Sequence, residues 1–209
     1  LINAGVGSGK TLSGALIPIT TMLHNKVVEC AIITAPGRLV KNYVSEIAKF
    51  AMEDGNPTLN IVPLRTKTAR TMSWTAASIA GKQLVLSEAM GNKNINYGAL
   101  TKAFKDMPAN TIYVVGHDFL TANTDIVDVM GVPVQTFPGA QWVRDVLMRE
   151  SDPNGSPTGR KRRRAVIVND ESHTGKTLGG RVNQAISLMI SQDTIVYSMS
   201  GSVGVNTLE

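Results

Sequence analysis

Cysteine is almost missing: Cys30 is the single thiol among 209 residues. That excludes an internal disulfide and any multi-cysteine zinc site. The three histidines stand far apart in sequence, so no His/Cys cluster offers metal-ligand spacing either. Aromatic residues are scarce at 5%, and neither Trp74 nor Trp142 is interleaved with basic residues in the way base-stacking platforms are. Both read as packing residues. No run of about eighteen uninterrupted apolar residues occurs, which excludes a membrane-spanning helix. The first residues lack a charged start, an apolar stretch and a cleavage site, so no signal peptide is expected. The chain reads as a soluble, intracellular domain.

What is present is an ordinary globular composition. Hydrophobic residues make up 43% and charged residues 18%, enough to build a core and too apolar for a disordered chain. The length fits one domain, spanning 1–209. Charge is uneven. Lys and Arg number 21 against 16 Asp and Glu, a net charge of +5. The run Arg160-Lys161-Arg162-Arg163-Arg164 alone supplies that excess, so the high pI reflects one loop and not a basic surface throughout. This run follows Ser151-Asp152-Pro153-Asn154-Gly155-Ser156-Pro157, and 150–164 together read as a flexible loop. It has two readings: a grip on phosphates with salt-dependent affinity, or a solvated insertion. The second is favoured.

Short β-type runs alternate with longer helical ones, the pattern of an α/β fold with a parallel sheet. Leu1-Ile2-Asn3 reads as the end of a strand whose beginning lies upstream. Leu12, Ala15, Leu16, Ile19 and Leu23 keep one helical face, with Pro18 expected to kink or shorten that helix. Strands are expected over 27–34, 59–64, 83–86, 111–115, 165–169 and 194–198. Helices are expected over 39–51, 97–104 and 180–191. The stretch between the strands at 111 and 165 reads as irregular.

Ala4-Gly5-Val6-Gly7-Ser8-Gly9-Lys10-Thr11 matches a phosphate-binding loop between a strand end and an amphipathic helix. Glycines at 5, 7 and 9 let backbone N–H groups converge with that of Ser8 on a phosphate-sized hole. The helix start presents its positive dipole end to the anion. Lys10 would reach the β- and γ-phosphates of ATP and act in catalysis, and the Thr11 hydroxyl would join the coordination of Mg²⁺. A second acidic site is then required, and Ala165-Val166-Ile167-Val168-Asn169 runs straight into Asp170-Glu171. Asp170 would lie close to the metal, and Glu171 would act as general base on the attacking water.

Asp170-Glu171-Ser172-His173 resembles the DExH motif of superfamily two helicases and translocases, and Ala4 to Thr11 fits that superfamily's first motif. Thr34-Ala35-Pro36-Gly37-Arg38, with the helix that follows to Phe50, is similar to motif Ia of the Swi/Snf-like branch. Val114-Val115-Gly116-His117-Asp118-Phe119-Leu120 stands at motif Ib. Ser200-Gly201-Ser202 stands at motif III, with Ser202-Val203 where Thr-Pro is usual. The resemblance covers nearly the whole chain in the correct order. It implies the first RecA-like lobe: a P-loop NTPase three-layer sandwich with a mainly parallel sheet. The absence of an acidic lead-in to the phosphate loop points to a viral or bacterial type.

The resemblance implies an ATP-dependent nucleic-acid motor, helicase or duplex translocase, with ATP and Mg²⁺ as cofactors and DNA favoured over RNA. Pro36, Gly37, Arg38, Gly116 and His117 would meet the nucleic-acid backbone. His173, Ser200, Gly201 and Ser202 would couple hydrolysis to that contact. A second RecA-like lobe of the same parent would complete the machine with an arginine finger, so this lobe alone is expected to be nearly inactive. Two other classes stay open: a P-loop NTPase of another branch, such as a DNA-packaging motor, and a nucleotide-binding scaffold with degenerate catalysis.

Overall fold

The computed structural model describes residues 2–3, 15–53, 60–66, 95, 97–104, 111–149, 162–170 and 180–200. Its strands are β1 (Ile2–Asn3), β2 (Cys30–Ala35), β3 (Asn60–Leu64), β4 (Thr111–Gly116), β5 (Asp125–Val129), β6 (Val132–Thr136), β7 (Ala165–Asn169) and β8 (Thr194–Ser200). Its helices are α1 (Ile17–His24), α2 (Val40–Glu53), α3 (Tyr97–Phe104), α4 (His117–Leu120), α5 (Pro138–Trp142) and α6 (Arg181–Ser187). Six strands form one sheet in the order β1-β8-β7-β2-β4-β3, and every neighbouring pair is parallel.

The central strands are apolar from end to end because both faces are covered. β2, β4 and β7 are buried at every position. Their alternating side chains divide between two cores. Ile33, Val114 and Val168 pack with Ile19 and Leu23 of α1 and with Val40, Tyr43, Val44 and Ile47 of α2. Ile32, Tyr113 and Ile167 pack with Leu100, Phe104, Phe119, Trp142, Ala185 and Ile186 of the other helices. The result is the three-layer α/β sandwich with a mainly parallel sheet that the sequence implies. Cutting a fully buried isoleucine such as Ile33 or Ile167 to alanine costs about 2–5 kcal/mol by cavity formation. Among the described residues no helix is long and apolar enough to cross a membrane.

Several boundaries differ from the sequence reading. β2 starts at Cys30, not at Val27, because Lys26 takes a left-handed turn (φ 54°) that leaves Val27 exposed. Pro18 falls near the start of α1, in the first turn of the regular helix, where its missing N–H costs nothing, and Ala15–Leu16 before it form a π-helical turn. α6 is shorter than expected, ending at Ser187, and β8 is longer, reaching Ser200. Pro63 is tolerated in β3 because β3 is the edge strand among the described residues. The expected strand at 83–86 and Trp74 lie outside the described residues.

In the region expected to be irregular, residues 117–149 are ordered. It holds α4, the antiparallel hairpin β5–β6, and α5 continuing into a π-helical turn over Val143–Leu147. Met130 and Gly131 both have positive φ (56° and 81°), as a two-residue hairpin turn of the favoured hand demands. Registered pairs Val127–Val134 and Val129–Val132 lie on one face of this ribbon, and all four valines are exposed. Trp142 is core: its ring meets Phe104 and Phe119 edge-on, and its Nε1 donates to Thr101 Oγ1 at 2.9 Å. Met189 and Met199 are core as well.

Candidate functional site

In a parallel sheet every strand delivers its C-terminal end to the same edge, and ligands of such folds bind there. Here β2 delivers Pro36-Gly37-Arg38, β3 delivers Arg65-Thr66, β4 delivers Gly116-His117-Asp118, and β7 delivers Asp170. β1 ends at Asn3, paired with Ser200 at the end of β8, so the chain enters residues 4–14 from this edge. β8 alone separates β1 from β7, which sets them about 10 Å apart at the usual strand spacing of about 4.8 Å.

Asp118 ties three of these ends together. Its Oδ2 accepts hydrogen bonds from the Thr66 N–H at 3.2 Å and the Thr66 hydroxyl at 2.5 Å. Its Oδ1 is buried with no hydrogen-bond partner among the described residues and lies against two glycines. A Cβ on Gly37 would fall 2.6 Å from that oxygen, and a Cβ on Gly116 would fall closer still. A side chain at either position would therefore force the Asp118 carboxylate to move. Gly37 opens a short 3-10 turn over Gly37–Leu39, entered from Pro36 in extended conformation, and Arg38 on this turn is exposed.

A second set of contacts joins β2 to the acidic end of β7. The buried Thr34 hydroxyl donates to Asn169 Oδ1 at 3.0 Å, and the Asp170 N–H donates to the Thr34 carbonyl at 2.8 Å. Thr34 and Asn169 are the buried polar residues at the end of otherwise apolar strands; pairing removes the cost of burying them. His117 sits between the two sets. Burial pushes its imidazole below the usual histidine range, while Asp170, Asp118 and the Asn169 side chain oppose that shift. Its Nε2 is shielded from solvent.

The expected site residues thus divide. Pro36, Gly37, Arg38, Gly116, His117 and Asp170 lie on one edge, joined through Asp118 and Asn169. Ser200 ends the strand beside β7. Gly5, Gly7, Ser8, Gly9, Lys10, Thr11, Glu171, His173, Gly201 and Ser202 lie outside the described residues. Thr34, Thr66, Asp118 and Asn169 were not singled out by the sequence reading. The signal for Thr34 and Asn169 was a hydrogen-bonding side chain closing an apolar strand. Asp118 and Thr66 gave none, because they are 52 residues apart. No protein-family model matches the chain, and no curated protein does.

Proposed function

We propose that the chain is the first lobe of an ATP-driven nucleic-acid motor, with DNA the favoured track. Lys10 holds the ATP phosphates with the backbone of Gly5, Gly7, Ser8 and Gly9. Thr11 and Asp170 place Mg²⁺, and Glu171 activates water. Arg38, presented on the exposed turn after β2, meets the phosphodiester backbone and contributes affinity without sequence reading. His117 joins that turn's support to Asp170, while His173 and Ser200-Gly201-Ser202 couple turnover to the track. A second lobe supplies the arginine that meets transition-state charge, an effect of about 10³–10⁵ in rate in P-loop enzymes.

One observation supports this reading above others. The chain enters residues 4–14, leaves β7 at Asp170 and leaves β8 at Ser200 on the same sheet edge that carries the Gly37–Leu39 turn. Nucleotide chemistry and a cationic contact can therefore share one short hydrogen-bonded frame. The test is Lys10→Ala with a fluorescent ATP analogue. Removing a charge-assisted contact of about 1.5–3 kcal/mol should weaken binding about ten- to a hundredfold. Unchanged affinity in a folded variant would sink the assignment.

A further inference from the structure

The basic run that closes the 150–164 segment has a place in the fold that the motor reading does not use. Its last three residues lead into β7 at the opposite edge of the sheet from Asp170. Arg162 pairs with Arg149 in an antiparallel bridge, and the Arg163 N–H donates to the Met148 carbonyl at 2.9 Å. The Arg164 N–H donates to Glu29 Oε2 at 3.0 Å, and its Nη2 donates to the Lys26 carbonyl at 2.9 Å. These three residues are therefore built into the sheet edge. Arg163 points inward and is only 7% exposed. Arg162 is half-buried and Arg164 is exposed.

Beside them stands Asp145, which three arginines share. Arg144 holds it with two bonds of 2.9 Å, Arg149 approaches at 3.4 Å, and the charge of Arg162 acts on it as well. One carboxylate cannot occupy the donors of three guanidinium groups. Among the described residues, Lys26, Arg144, Arg149, Arg162 and Arg164 stand around this edge with the carboxylates of Glu29 and Asp145. Asp193, whose carbonyl accepts the Ala165 N–H at 3.1 Å, lies at the same end of the strands. Five cations against three carboxylates leave a positive surplus, with Lys26 and Arg164 exposed and Arg144, Arg149 and Arg162 half-buried.

We propose that this edge is a second anion site, formed by Arg144, Arg149, Arg162 and Arg164, that binds the phosphodiester backbone of nucleic acid independently of the ATP site. All four of its cations are arginines, whose planar forks match phosphate oxygens in pairs. A phosphodiester chain repeats its charge along an extended line and needs no shaped pocket. The choice of nucleic acid as the polyanion rests on the motor reading; the site itself does not. Six residue steps of about 3.3 Å separate Arg164 from Asp170, about 20 Å in all. At physiological salt that exceeds two screening lengths of about 8 Å, so the two sites are electrostatically separate.

The test uses the full chain, a fluorescein-labelled DNA duplex and anisotropy titrations between 50 and 200 mM KCl. Arg162→Gln with Arg164→Gln removes two phosphate contacts. The slope of log K against log salt should flatten by about 1.8, and affinity at 0.1 M salt should fall about 60-fold. Arg162→Lys with Arg164→Lys keeps the charge and should keep most of the slope. Affinity for a fluorescent ATP analogue should be the same in wild type and both variants. Unchanged duplex affinity and slope in the folded glutamine pair overturns the proposal, as does loss of ATP affinity along with DNA affinity. An oligoglutamate that displaces the duplex at equal charge concentration would overturn nucleic acid as the occupant, in favour of an acidic protein. Failure of the wild type to bind the ATP analogue, with the salt slope still lost in the glutamine pair, would instead overturn the motor reading and leave this site standing.

Discussion

Replacing Gly37 by alanine probes the frame that holds the candidate site together. The added Cβ would stand 2.6 Å from Asp118 Oδ1 where ordinary contact begins at 3.4 Å, so the carboxylate must retreat by about 0.8 Å. It cannot do so freely, because Oδ2 is held by the N–H and hydroxyl of Thr66 at 3.2 and 2.5 Å. Retreat stretches the longer bond past useful hydrogen-bond length. Overpacking costs about 1–3 kcal/mol, and a hydrogen bond to a charged group contributes about 1.5–3 kcal/mol. Since both bonds need not break, the expected loss is about 2 kcal/mol, or about 4–8 °C in Tm for a domain this size. Urea unfolding of Gly37→Ala, Asp118→Ala and the double variant gives the decisive cycle. In the Asp118→Ala background the clash is gone, so Gly37→Ala should cost less than about 0.5 kcal/mol, leaving a coupling above about 1 kcal/mol. Equal effects of Gly37→Ala in both backgrounds would show that Asp118 does not brace this turn.

Two further outcomes follow from the same geometry. The folded-state pKa of His117 lies below its ordinary value of 6.5, so the unfolded chain binds the proton first. The contribution is therefore fully present above about pH 6.5 and is lost as pH falls toward the folded pKa, with a slope of at most about 1.4 kcal/mol per pH unit. Urea midpoints at pH 7.5 and 5.5 should differ less in His117→Gln than in wild type, and an unchanged difference would remove His117 as the cause. Trp142→Phe deletes the bond to Thr101 and leaves a void where the larger indole was buried, so stability measured by thermal unfolding should fall by about 1–3 kcal/mol. A fall near zero would mean that water replaces the indole N–H and that the core closes over the void.

The layers were legible because their physics is local. The runs over Cys30–Ala35, Thr111–Gly116 and Ala165–Asn169 are continuous apolar strands, and burial on both faces is what such runs require. The helical spacing of Val40, Tyr43, Val44 and Ile47 marked α2 for the same reason. The hairpin was missed because its strands show little alternation and its two-residue turn, Met130-Gly131, lacks the Asn-Gly or Asp-Gly signature. Asp118 was read only as part of a motif. Its role depends on Thr66 and on two glycines that close only when β2, β3 and β4 stand side by side. The arginine run was read as solvated, which fits exposed Arg164 but not Arg163, because charge alone does not tell a buried arginine from a solvated one.

Turnover of ATP by Glu171→Gln, measured in the full-length protein with and without duplex DNA, tests the motor reading most directly. The amide keeps shape and removes the carboxylate that would activate water. Mg-ATP should still bind with wild-type affinity, while DNA-stimulated turnover falls about 10²–10⁴-fold. Wild-type turnover that DNA does not raise, or a Glu171→Gln variant that hydrolyses ATP at the wild-type rate, would contradict the account.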